Sequence, residues 1–158
     1  MEYAVINDEL AFPIPDGFHI MDEEERSQLN MLGGAPGTCL SDPARHMIIS
    51  IGWHKAGRLA TMLLNTAEIA KTMEARIKEP MADFDYALLE FVATRIGGKQ
   101  ANGFDYVYEA EGIPMFAESL VLKNKKNLYY LHFYCRRANK IDGVEAWSSI
   151  LSSASWKR

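Results

Sequence analysis

The side chains with the most chemical potential are few: four histidines, two cysteines and a glycine-rich run from Gly33 to Thr38. His46 and His54 fall on one face of an alternating segment but eight positions apart. That is roughly 26 Å along a strand, too far to share an ion. His132 has no carboxylate or second histidine on its expected face, so a packed imidazole explains it better than a metal ligand. No metal site and no cofactor are therefore expected. Cys135 belongs to a strand face that should be buried, where a thiol is inert. Cys39 sits in what reads as a loop, with His46 close in sequence, so a thiol–histidine pair is conceivable; the enzymatic alternative is a small thiol- or histidine-dependent hydrolase or transferase using Cys39 or His132 near the loop from Gly33 to Pro43. No Gly-x-Ser-x-Gly elbow is present. The run Gly33-Gly34-Ala35-Pro36-Gly37-Thr38 lacks the Gly-Lys-Ser/Thr ending that a phosphate loop needs.

Aromatic residues offer a second kind of chemistry, that of binding. Phe104–Ala110, Met115–Leu122 and Leu128–Arg136 read as three strands joined by tight turns at Glu111-Gly112 and Lys125-Lys126. If both loops hold two residues, positions summing to 223 pair across the first hairpin and positions summing to 251 across the second. Tyr106, Ala117 and Tyr134 then align across the sheet, as do Phe104, Ser119 and His132. A small residue between two rings leaves a shallow groove for a peptide or flat ligand, which makes Phe104, Tyr106, His132 and Tyr134 the candidate binding residues. The simpler expectation is that a terminal helix led by Trp147 and Ile150 docks there, since an amphipathic helix needs such a surface. The other face carries Val107, Phe116, Leu120, Leu122, Tyr129, Leu131, Phe133 and Cys135. The same register sets Asp105 opposite Glu118, an unfavourable pair that calls for a bulge or for solvated ends.

Further elements must frame these strands. Tyr3–Ile6 and Leu10–Ile14 read as short strands, the second limited to an edge by its prolines. Asp22 with Glu25 has capping-box spacing for a short acidic helix. Gly33–Pro43 reads as loop. Met47, Ile49, Ile51 and Trp53 alternate as the buried side of a strand. A long helix runs from Thr66, its expected N-cap, to Glu79, with an Ile69/Ala70/Met73/Ile77 stripe and a Glu74–Lys78 pair. Asp83–Leu89 reads as either helix or strand, and Glu90–Ile96 as strand. A final helix is expected behind an Asp142 cap and Glu145, burying Val144, Trp147, Ile150, Leu151 and Ala154.

Composition narrows the function. The chain has 158 residues, 48% hydrophobic and 24% charged, which suits one domain spanning residues 1–158. A net charge of −4 argues against nucleic-acid binding, and Lys123, Lys125 and Lys126 read as a solvated hairpin tip. No apolar run is long enough to insert across a membrane. Two cysteines far apart, with no signal segment ahead of them, suggest free thiols in the cytoplasm.

The order of these elements resembles a known family. A Phe-Pro-Ile-Pro-Asp-Gly-Phe opening (residues 12–18), an Ile96-Gly97-Gly98 turn, a meander containing Leu128-Tyr129-Tyr130-Leu131 and a final segment from Trp147 to Trp156 with Ile150-Leu151-Ser152-Ser153 line up in sequence. This is similar to the PsbP-like superfamily, which includes a photosystem II extrinsic protein, a nuclear Ran-binding factor and bacterial proteins. The resemblance implies an α+β fold, a twisted antiparallel sheet with helices over both faces, and a non-catalytic protein-binding or assembly role. It supplies no shared catalytic set, and Asp22–Pro43 departs from its pattern. The expected partner is another protein.

Overall fold

The computed structural model describes residues 2–28 and 37–157. Its first hairpin pairs β1 (Tyr3–Ile6) with β2 (Leu10–Pro13) through a turn in which Asn7 and Asp8 take positive φ. Alternation buries Ala4, Ile6, Leu10 and Phe12 on one side. Pro13 ends β2, beyond the reach of its second neighbour β10 (Ser155–Trp156), so its missing N–H costs no ladder bond.

The main sheet holds β3 (His19–Ile20), β4 (Thr38–Asp42), β5 (Met47–Lys55), β6 (Ala87–Ile96), β7 (Lys99–Ala110), β8 (Ile113–Asn124) and β9 (Asn127–Arg136). Their order is β3-β4-β5-β9-β8-β7-β6, and every pairing is antiparallel. Both expected hairpin registers hold: Phe104 faces Ser119, which faces His132, and Tyr106 faces Ala117, which faces Tyr134. Asp105 stands opposite Glu118 without a bulge; the irregularity lies on β6, between Leu88 and Glu90.

Helix α1 (Glu23–Ser27) has the expected capping box between Asp22 and Glu25. A helix α2 (Arg58–Leu63) follows β5, and then α3 (Thr66–Lys78). The cap of α3 is Asn65, not Thr66: its side chain accepts from the Ala67 and Glu68 N–H groups. Thr66 Oγ1 instead lies 2.6 Å from Asn102 Oδ1, tying the helix to β7. Glu74 accepts from Tyr86 OH at 2.7 Å rather than pairing with Lys78. Helix α4 (Lys140–Ser153) starts after Asn139, which makes no side-chain cap, so Asp142 lies inside its first turn.

The main sheet has two covered faces. Its front, with Ile49, Ile51, Phe116, Leu120, Leu131 and Phe133, packs under the small β1–β2–β10 sheet and α4 in one large core. Trp147 stacks on Phe133 at 5.4 Å, so α4 docks on this face and not over Tyr106 and Tyr134 as the sequence suggested. Gly143 permits the approach, because a Cβ there would sit 3.0 Å from Cys135 Sγ and Phe133 Cζ. The back face is covered by α3 and a 3-10 turn, Ala82–Phe84. Two further expectations fail. Thr38–Asp42 is strand rather than loop, and Trp53 is 44% exposed because β5 runs past the core at its end.

Candidate functional site

The back face brings the four expected binding residues together. Phe104 stacks on Tyr106 at 5.4 Å, Tyr106 meets Tyr108 at 5.8 Å and Tyr86 at 5.4 Å, and His132 stacks on Tyr134 at 6.3 Å. Met73, Ile77 and Met81 close over this row. Phe104 and Tyr106 are 1% and 3% exposed, while His132 and Tyr134 keep partial solvent contact. The row is thus roofed by α3 over β7 and β8 and more open towards β9. It also runs outward, since Phe91 on β6 packs edge-on against Phe104 at 6.3 Å.

Burial sets the electrostatics of this face. Burial of the His132 ring holds its pKa down at about 4, and its Nδ1 lies 2.7 Å from Ser119 Oγ. A neutral imidazole with a hydroxyl partner is a satisfied structural group. Tyr106 and Tyr134 are pushed up from the usual phenol range, again by burial first. On the front face, Asp105 is pushed up to about 8 by burial, then by the neighbouring Glu118 and Glu90 carboxylates. Glu118 accepts from Trp147 Nε1 at 2.9 Å, and Asp105 Oδ1 is buried without a hydrogen-bond partner.

The remaining candidates stay apart. Cys39 is fully buried in β4 opposite Ser50, whereas His46 stands in the turn before β5, four residues from Ser50, and the two do not pair. Burial raises its thiol pKa and pushes Cys135 up to about 11, leaving both protonated at neutral pH. His54 stacks on Tyr130 at 5.5 Å. Gly33 to Pro36 lie outside the described residues. Among the described residues, no group of three His, Cys, Asp or Glu side chains is placed to hold a metal, and no helix is long and apolar enough to cross a membrane.

Sequence reading missed the open edge. Among the described residues β6 has a neighbour on one side only, and Leu88, Leu89 and Phe91 on it are 37%, 48% and 44% exposed. The signal was present as Ala87-Leu88-Leu89-Glu90-Phe91, whose apolar run crosses the segment left undecided between helix and strand. Helix α2 was also missed, although Leu59, Met62 and Leu63 have i, i+3, i+4 spacing.

No protein-family model matches the sequence, and no curated protein matches it. Solved structures do. Cyanobacterial PsbP (CyanoP) from Synechocystis sp. PCC 6803 superposes with a TM-score of 0.68 at 14% identity, over 99% of this chain and 92% of that one. LpqN, involved in cell envelope biogenesis of Mycobacterium tuberculosis, gives 0.61 at 14% identity, over 94% and 83%. Both superpositions span most of each chain, and on that ground this chain has the PsbP-like α+β fold.

Proposed function

We propose that residues 1–158 act as one non-catalytic accessory module that binds another protein through the open β6 edge. The observation that carries this reading is the unpaired strand bearing Leu88, Leu89 and Phe91. An exposed apolar edge is a template for an added strand, with backbone bonds giving affinity and alternate side chains giving selectivity. Phe104 and Tyr106 back Phe91 with a rigid stacked row, and Tyr134 and His132 extend that support inward. The bulge at Leu88/Glu90 leaves Glu90–Ile96 as the regular stretch for pairing. The two free cysteines, both buried, suit a reducing cytoplasm.

Affinity capture from the native cell tests this. The wild-type chain and Cys39→Ser should retain the same partner, while Phe91→Lys and Leu89→Lys should each lose it by ~10-fold or more. Retention by both lysine variants would end the edge reading. Loss on Cys39→Ser alone would revive a thiol enzyme.

A further inference from the structure

Helix α2 exposes its apolar side chains instead of burying them. Leu59, Met62 and Leu63 are 71%, 78% and 78% exposed and share one side of the helix. The fold holds α2 by polar bonds: Thr61 Oγ1 lies 2.7 Å from Lys125 O, and the Ala56 and Gly57 N–H groups donate to Lys126 O. Lys123 Nζ donates to Leu64 O at 2.7 Å. The helix is therefore stapled to the β8–β9 hairpin tip, and most of each of the three apolar side chains faces solvent.

The charge around them is one-sided. Lys55, Arg58, Lys125 and Lys126 are all exposed beside α2, in a chain whose net charge is −4. The nearby carboxylates are few. Glu9 lies 3.9 Å from Lys125 and accepts from Asn127, Glu68 lies 3.7 Å from Lys71, and Asp8 stands in the β1–β2 turn. Trp53, 44% exposed, lies on β5 just before the helix.

We propose that α2 and the Lys125-Lys126 tip form a docking surface for an anionic lipid headgroup layer. Apolar side chains that protrude among cations fit an interface, where the tips enter the headgroup boundary and the lysines meet lipid charge. The chain lies on the layer and does not span it. This surface is independent of β6, which displays its apolar residues near the opposite end of the strands.

Vesicle co-sedimentation of the full chain tests the assignment, comparing phosphatidylcholine with mixtures holding about 30% phosphatidylserine. The wild type should sediment with anionic vesicles only, and raising salt to ~0.5 M should release it. Leu59→Ser/Met62→Ser/Leu63→Ser and, separately, Lys125→Glu/Lys126→Glu should each weaken binding by ~10-fold or more. Thermal melts of both variants should match wild type, because the substituted groups are solvent-facing. Equal sedimentation with both lipids, or unchanged binding by either variant, overturns the proposal. So does a wild type that ignores vesicles yet self-associates through α2, since the surface then belongs to a protein contact.

Discussion

The two faces of the main sheet differ in what they hold. The front packs α4 and a second sheet into one continuous core, with Phe133, Leu131 and Leu120 almost inaccessible. The back supports a smaller cluster, Met81, Phe104, Tyr106 and Ala117, rimmed by half-buried aromatics, and it tapers into the open β6 edge. Burial on the front is continuous across the strands, so that face carries most of the stability. The back and its edge leave apolar surface free, which is where a contact can form without dismantling the fold.

The largest expected effect lies on the front. Phe133→Ala removes the ring stacked against Trp147 and opens a cavity beneath Gly143, costing about 3–5 kcal/mol in denaturant unfolding. A cost as small as that of an exposed residue would break the contrast between faces.

Titration gives the next effect, and the faces act in opposite directions. Asp105 on the front has a pKa of about 8 in the folded chain, against about 3.9 when unfolded. The unfolded state binds fewer protons between these values, so this group lowers stability as pH rises through the window. Asp105→Asn should therefore raise the melting temperature most at pH ~8, progressively less as pH falls, and scarcely at pH ~3, where the wild-type carboxyl is protonated in both states. His132 on the back titrates at about 4 folded and about 6.5 unfolded. Its contribution is present above the unfolded value and is lost as pH falls towards 4. A melting curve for His132→Gln that keeps the wild-type acid loss would contradict the buried neutral imidazole.

A smaller loss is expected from Asn65→Ala, about 1 kcal/mol by thermal melting, because two N–H groups of α3 lose their acceptor. Smallest of all, Leu89→Lys on the open edge should change stability by no more than ~0.5 kcal/mol.

Much of the meander was legible because hairpin arithmetic needs only loop length. The turns at Glu111-Gly112 and Lys125-Lys126 fix every cross-strand pair from Asn102 to Arg136. The capping box at Asp22 was equally local. What sequence could not settle was which helix covers which face, since both faces are apolar and period two labels sides without naming their covers. Trp147 was accordingly assigned to the wrong side. Caps slipped by one to three residues, to Asn65 and Asn139, where neighbouring polar residues compete. β4 was hidden by the glycines and prolines that flank Thr38–Asp42. The apolar run Ala87–Phe91 was visible, but its place at an edge depends on β6 being last in strand order, which no local pattern records.

The edge claim is tested most directly by a photo-crosslinking side chain placed at Phe91, with Ile141 as control. Both positions are exposed, at 44% and 85%, but only Phe91 lies on the open strand. Irradiation in the native cell should give one discrete protein adduct from position 91 and none from position 141. No adduct at 91, or the same adducts at both positions, would contradict the account.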